Sequence, residues 1–391
     1  MAPAHPRLSA ALDEAGTDGY LVDADGTDSD QHYLSRYRAL DDFVTLYTDD
    51  GVALLLPDPE CDLAEAESVA DEVRGLSEFG YREAAQRMDP RKAKKAVTAD
   101  FVADYGVESV SVPVSFPTGT ADLLRAAGVD VVPDFAYALR DVRAVKGDRE
   151  VEHLRATQAA NEDALAAAES MLARATVAEG VLHLDGDVLT SERVRDHIER
   201  TLLDCGCELD QCIAACGPAA ARGHDSGSGP LRANEPIVVD VFPRHEETRY
   251  FGDVTRTFVK GEPSSQVREW YDLTREAFEA ALDALGAGVS GEAVHDTVCE
   301  VFEAAGYATR RTEDAPEDGF THATGHGVGL DVHEAPYLAG QAGDLEAGHV
   351  VTVEPGLYEQ GVGGVRLEDL VVVTEEGYEN LTDYPRDLRV V

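Results

Sequence analysis

Basic charge is scarce in this chain: 33 lysines and arginines face 76 aspartates and glutamates, a formal net charge of −43, and the lysines are only Lys92, Lys94, Lys95, Lys146 and Lys260. A field of that sign repels phosphate, which excludes nucleic acid and anionic membrane as partners. The acids are spread along the sequence rather than gathered in a tail, and the 43% hydrophobic content is that of a folded chain, not a disordered one. Such a balance suits concentrated salt, where screening removes self-repulsion. A halophilic cytoplasm is the expectation. Long apolar runs are also lacking, and none approaches the roughly 18 residues of a membrane-spanning helix. The opening MAPAHPRLSAALDEAG carries neither the basic n-region nor the apolar h-region of a leader, so a soluble, cytoplasmic protein is expected. Paired C-x2-C spacing is missing too. Four of the six cysteines, Cys205, Cys207, Cys212 and Cys216, crowd into one stretch; zinc is conceivable there, but free, mostly buried thiols in a reducing compartment are the ordinary reading. A chain of 391 residues can build two or three full cores without disulfides.

What is present divides near Leu139–Asp148. Residues 1–143 alternate Ala/Leu/Glu-rich helical segments with short apolar strands (YLVDA, FVTLYTD, VALLLPD, ESVSVPVS), the pattern of an α/β domain. Residues 144–391 form a second domain. A long helix is predicted over 148–173, with Val151, Leu154, Leu165, Ala168 and Leu172 on one face and Gln158 and Asn161 interrupting that stripe. A helix over 191–204 and strands near 209–216, 236–242 and 249–259 follow. The order then repeats: helices over 265–285 and 291–304, and strands near 322–332, 348–354 and 364–374. Two helices followed by strands, twice over, predict a pseudo-symmetric α+β domain with its strands joined in one sheet system.

Four acids stand where strands should be dry. Asp240 lies inside the apolar run Pro236–Phe242, Asp253 in YFGDVTRTF, Glu354 in VVTVEPG and Glu368 in GGVRLEDLVVV, with PRHEETR between the first two as a hairpin connection. Burying an unpaired carboxylate costs several kcal/mol. One acid can be rescued by an arginine, but four call for concentrated positive charge, and divalent metal is the simplest source. The segment THATGHGVGLDVHEAP adds His326 between Gly325 and Gly327, with His333 seven positions on. Oxygen-rich ligation with a single imidazole favours Mn²⁺ over Zn²⁺, and four acids have oxygens enough for two ions. The chemistry implied is hydrolysis by activated water.

The ordered set Asp240, Asp253, His326, Glu354, Glu368, within the motifs DVTRTF, GHGVGLDVHE, VEPGLY and VRLEDL, resembles the signature of the pita-bread metallopeptidases. That group comprises methionine aminopeptidases, Xaa-Pro aminopeptidases and prolidases. The resemblance runs from about Leu139 to the C-terminus. Residues 1–143 resemble, more loosely, the creatinase-type domain that precedes the catalytic domain of the proline-specific members. It implies two divalent ions, Mn²⁺ first and Co²⁺, Zn²⁺ or Fe²⁺ as alternatives, held by those five residues with Asp253 and Glu368 bridging. It further implies that Glu354 exchanges a proton with the attacking water, that His224 lies near the scissile bond, that His333 stabilises the oxyanion, and that Arg366 neutralises acidic ligands or substrate. Taken singly, His224 also reads as an exposed loop residue, His333 as a partner of Asp331, and Arg366 as an ion-pair partner of Asp369 or Glu368. His322 reads as support or packing rather than a ligand. Asp240 and Asp253 stand two positions further apart than is usual in the family, an insertion in PRHEETR.

The function implied is a homodimeric peptidase cutting Xaa-Pro bonds of short peptides, as aminopeptidase or dipeptidase. Rival readings are a creatinase-like hydrolase of a small C–N bond and a non-catalytic binding protein on the same scaffold. From charge alone, the thermal unfolding midpoint, followed by circular dichroism, is expected to rise as KCl goes from about 0.1 to about 3 M; an unchanged midpoint would mean that screening does not hold this fold together.

Overall fold

Short apolar runs bounded by turn residues pair side by side, and in this computed structural model, which describes residues 5–390, they do so in two compact units, Met1–Arg143 and Ala144–Val391. Residues 1–4, the start of the segment inspected for a leader, lie outside the described residues. The first unit is built on a six-stranded mixed sheet in the order Glu72–Gly75, Gly51–Leu56, Phe43–Thr48, Gly19–Ala24, Ser109–Val112, Asp130–Pro133. Its apolar side chains, among them Leu21, Leu46, Leu55 and Val110, pack against Val97 and Phe101 of the helix Pro90–Asp104. Among the described residues no helix is long and apolar enough to cross a membrane.

The second unit carries the repeat. Its first half has helices α1 (Asp148–Arg174) and α2 (Ser191–Asp204) and strands β1 (Cys212–Cys216), β2 (Ile237–Val241) and β3 (Val254–Lys260). Its second half has α3 (Ser265–Ala284), α4 (Gly291–Ala304), β4 (Gly325–Gly327), β5 (Glu334–Leu338), β6 (Val350–Val353), β7 (Gly356–Glu359), β8 (Gly363–Arg366), β9 (Asp369–Thr374) and β10 (Gly377–Asn380), closed by β11 (Arg389–Val390). Helix starts are set by caps that satisfy otherwise orphaned amides: Thr190 accepts from Arg193 N, Ser264 from Val267 N and Ser290 from Ala293 N. In each half the helix pair covers one face of a sheet: β1-β2-β3-β11, antiparallel except for the parallel β3–β11 pair, in one case and the antiparallel β5-β4-β6-β9-β10 in the other. Strand alternation does the rest. Ile237, Val239 and Val241 of β2 face the helices, while Val238 and Asp240 face a cleft on the opposite side.

Three strand expectations change. The strands do not form one sheet; the two sheets meet where Glu368 N donates to Thr255 O (3.1 Å) and Arg366 N to Thr257 Oγ1 (2.9 Å). The run 364–374 breaks in two because it changes partners: Arg366 ends β8 opposite Gly356, and Asp369 begins β9 opposite Val353. Leu367 and Glu368 occupy the switch between them. In 322–332 only β4 is paired, since the chain turns back after Gly327 to pair β4 with β5. Gly325 is required there, because a Cβ would lie 1.9 Å from Thr352 O. The connection PRHEETR is more than a hairpin loop: Arg244–His245 pair with Cys207–Glu208 as a separate ribbon.

The two halves are tied by a buried ion cluster. The Arg256 guanidinium on β3 donates to Asp369 Oδ1 (2.8 Å), Glu368 O (2.6 Å) and Pro385 O (2.9 Å), and Asp369 also accepts from Arg386 and from Asn380 Nδ2. Arg256 and Asp369 are both fully buried. Removing one partner strands the other, so Arg256→Met is expected to cost about 3–5 kcal/mol, read as a lowered urea midpoint; a loss under about 1 kcal/mol would show that Arg386 compensates Asp369 alone.

Candidate metal centre

Each of the acids flagged in the sequence reaches the cleft from a strand or a strand end. Asp240 is inside β2, Asp253 immediately precedes β3, Glu354 immediately follows β6, and Glu368 immediately precedes β9. So only Asp240 lies within a strand; the others sit where a ladder begins or ends. The two halves carry acids in comparable places: Asp240 within β2 and Glu354 at the end of β6, Asp253 just before β3 and Glu368 just before β9.

His326 joins them from β4. Its Nδ1 is 3.1 Å from Gly327 O, a contact that makes Nδ1 the donor and turns Nε2 toward the carboxylates, 3.3 Å from Glu354 Oε1 and 3.8 Å from Asp253 Oδ2. Ligand atoms of Asp253, His326 and Glu368 all lie within 4.8 Å of one another, and all three residues are buried. Neighbouring hydroxyls orient the acids: Thr255 Oγ1 donates to Glu368 Oε2 (2.6 Å) and Thr352 Oγ1 to Glu354 Oε1 (3.1 Å). Arg366 ion-pairs with Asp240, not with Asp369 or Glu368, because Asp369 is already held by Arg256 and Arg386. Nor do Arg366 and Glu368 share a strand face. They are linked through Thr255, whose Oγ1 accepts from Arg366 Nε at 3.1 Å.

The cleft, of about 700 Å³, is lined by these groups and by His224, His322, His333, Tyr337 and Tyr358. His333 lies edge-on to His326 with ring centroids 4.2 Å apart. The next residue, Glu334, is buried and ion-paired with Lys146, which anchors the loop that carries His333. His224 is exposed at the cleft lining, with a left-handed φ of 62°. Sequence reasoning missed Tyr358, while His322 takes the supporting place read for it. Arg366 Nη1 donates to Tyr358 OH (3.1 Å), the hydroxyl donates to His322 Nε2 (2.9 Å), and His322 Nδ1 donates to Ala323 O (2.7 Å). Tyr358 stood in the VEPGLY motif, but nothing local marked it as polar-partnered.

Charge in the cleft is unbalanced. Burial, then the charges of Glu368, Asp240 and Glu354, holds the Asp253 carboxyl well above the usual range. Burial, then Glu354 and Asp240, does the same to Glu368. Asp240 is raised by burial despite Arg366. Glu354 is the exception: burial alone would raise it, but the hydrogen bond and charge of His326 pull it down to about 2. Burial pushes His322 down to about 4 and, with His326 as a neighbour, lowers His333. A set of buried oxygens with one imidazole Nε2, short of positive charge, fits a hard or borderline divalent ion. The cysteines do not form a second such group among the described residues: all are free, and burial pushes Cys207 up to about 11 and Cys212 and Cys216 to about 12.

Residues 152–375 match metallopeptidase family M24. The chain belongs to that family. An uncharacterized peptidase of Staphylococcus aureus (strain MRSA252) is 32% identical over 268 residues, 68% of this chain and 70% of the relative. A Xaa-Pro dipeptidase from Bacillus anthracis superposes with a TM-score of 0.83 at 24% identity over 99% of both chains. The dipeptidase PepE of Mycobacterium ulcerans gives 0.77 at 28% identity, covering 100% of this chain and 97% of its own. The fold is therefore the pita-bread fold of prolidases and aminopeptidase P, and this M24 member is a metal-dependent peptide hydrolase. That result sets aside a non-catalytic scaffold.

The raised carboxyls of this M24 peptidase give a pH test. An acid whose folded pKa exceeds its unfolded value makes the folded state bind more protons, so stability falls as pH rises from the unfolded value of about 4 through the raised folded one. Chelator-treated protein in concentrated KCl is expected to lose thermal stability as pH rises above the unfolded carboxyl value of about 4, and Mn²⁺ to remove the slope. If the doubly neutralised Asp253→Asn, Glu368→Gln variant showed the same slope, its source would lie elsewhere.

Proposed function

We propose that this peptidase holds two divalent ions, Mn²⁺ by preference with Co²⁺, Zn²⁺ or Fe²⁺ as other occupants, on Asp240, Asp253, His326, Glu354 and Glu368, and hydrolyses the Xaa-Pro bond of short peptides. The observation that carries this reading is the buried cluster of carboxylates and one imidazole in a cleft roomy enough for a peptide. Proline preference is supported by the likeness to a Xaa-Pro dipeptidase and to an X-Pro aminopeptidase from Thermotoga maritima MSB8, the latter at 25% identity and TM-score 0.77. When bound, the ions supply a nucleophilic water at neutral pH and polarise the carbonyl before proline.

The chain's own residues do the remainder. Glu354, ionised because His326 holds it low, accepts a proton at its carboxylate and passes it to the leaving imino nitrogen. His333, kept neutral by burial and by His326, offers an N–H to the developing oxyanion, and His224 flanks the scissile bond. Arg366 keeps Asp240 ionised and steadies Tyr358. Full-length likeness to these structures supports reading Met1–Arg143 as a creatinase-type domain, and the charge balance supports a salt-rich cytoplasm. We read the chain as a homodimer, on the resemblance of residues 1–143 to a creatinase-type domain.

The test is hydrolysis of Ala-Pro, a longer Ala-Pro peptide and Ala-Ala, with Mn²⁺ or chelator, in about 2–3 M KCl. Only the proline peptides should be cut, and only with metal. Asp253→Asn should lose more than the 10–100-fold typical of an outer partner, and His333→Ala about 10²–10³-fold in kcat. The preferred peptide length separates dipeptidase from aminopeptidase. If Mn²⁺ binds but no peptide is cut, the substrate is a small C–N compound instead.

A further inference from the structure

Gln158 and Asn161 interrupt the apolar face of α1, yet both are completely buried. A buried carboxamide is costly unless its hydrogen bonds are made, and Gln158 makes three. Its Oε1 accepts from Asp253 N (3.0 Å), and its Nε2 donates both to Asp253 O (3.0 Å) and to Thr382 Oγ1 (2.8 Å). The β2–β3 ladder ends at the pair Val241–Val254, one residue short of Asp253. The Gln158 amide thus replaces the missing strand neighbour and pairs with both backbone groups of Asp253. Its third bond reaches the other half. Thr382 Oγ1 also accepts from Leu370 N (2.9 Å), two residues after Glu368. One side chain therefore bonds the backbone of Asp253 directly and, through Thr382, is joined to that of Leu370 in β9, two residues past Glu368. Gly252 permits the approach, because a Cβ there would lie 2.9 Å from Gln158 Oε1. On the next turn of α1, Asn161 Nδ2 donates to Val241 O (2.7 Å), beside Asp240.

We infer that Gln158 is a positioning residue that sets the separation of the Asp253 and Glu368 carboxylates and thereby the affinity for divalent ion. The inference rests on the metal-centre reading above. Gln158 touches neither ion nor substrate; it acts through the backbone of Asp253 and, by way of Thr382, on β9. A leucine would fill the same space and leave both Asp253 backbone groups buried without partners.

The experiment titrates Mn²⁺ alone into chelator-stripped, full-length protein by isothermal calorimetry in concentrated KCl. Gln158→Leu is expected to weaken Mn²⁺ binding about 10–100-fold, the range for a residue that orients ligands from behind. Thr382→Val, which leaves α1 intact, should weaken it less, and the double variant should fall short of the summed effects. Leu165→Ala, a core truncation on the same helix, is the comparison: it should lower the unfolding temperature and leave Mn²⁺ affinity at the parent value. Parental affinity in Gln158→Leu would overturn the inference. So would an equal loss in Leu165→Ala, which would mean general loosening. Should Gln158→Leu not fold, parental affinity in Thr382→Val would overturn the link between the two acids. A parent that binds no Mn²⁺ fails differently, by removing the metal-centre reading itself.

Discussion

Four carboxylates gathered in one cleft repel each other, and the second unit is organised around holding them there. Two unit charges about 4 Å apart near a protein surface interact by about 4 kcal/mol, while a whole domain is stable by only about 5–15 kcal/mol. Several such pairs could not persist ionised on packing alone. Arg366 offsets Asp240, and His326 lies 3.3 Å from Glu354 and 3.8 Å from Asp253, so positive charge falls short of the four acids and Asp253 and Glu368 titrate high. The scaffold keeps the acids close; a bound cation would let them stay charged.

The geometry follows from where strands stop. Inside a ladder a side chain must point straight out of its sheet, whereas at the end of one the backbone is free to turn the side chain inward. Three of the four acids use such ends, and the repeated architecture supplies those ends in pairs facing one cleft. The cost is a set of backbone groups that no strand satisfies. Gln158 answers for Asp253, Thr255 O for the amide of Glu368, and Thr324 O for that of Glu354. Arg256 binds the Glu368 carbonyl from below while neutralising Asp369, so the packing of the two halves and the placement of the acid are one arrangement.

Much of this was visible in the residue order. The four long helices of the second unit declare themselves because a 3.6-residue apolar stripe with a polar cap has few other uses. The acids stand out because a carboxylate in an apolar run contradicts its surroundings. Gln158 and Asn161 carried the same kind of signal on a helix. Other features had no local mark. VRLEDLVVV looks like one strand, since apolar continuity reports burial and says nothing about which neighbour is paired. The partner of Arg366 was misjudged because Glu368 and Asp369 are its near neighbours in sequence, whereas Asp369 is taken by Arg256 and the actual partner, Asp240, lies 126 positions upstream. His322 read as support or packing with no partner named, because that partner, Tyr358, lies 36 positions downstream.

The amino-acid order by itself determined the two-domain division, the helix pairs, the donor types and the dominance of negative charge, because burial pattern and composition are properties of neighbours along the chain. Tertiary structure alone decided the sheet switch at Leu367–Glu368, the Arg366–Asp240 pair, the His322–Tyr358–Arg366 chain and the reach of Gln158 to both halves. Those are contacts between residues far apart in sequence, and a hydrogen bond or ion pair is selected by which of several competent partners the packed core brings within about 3 Å.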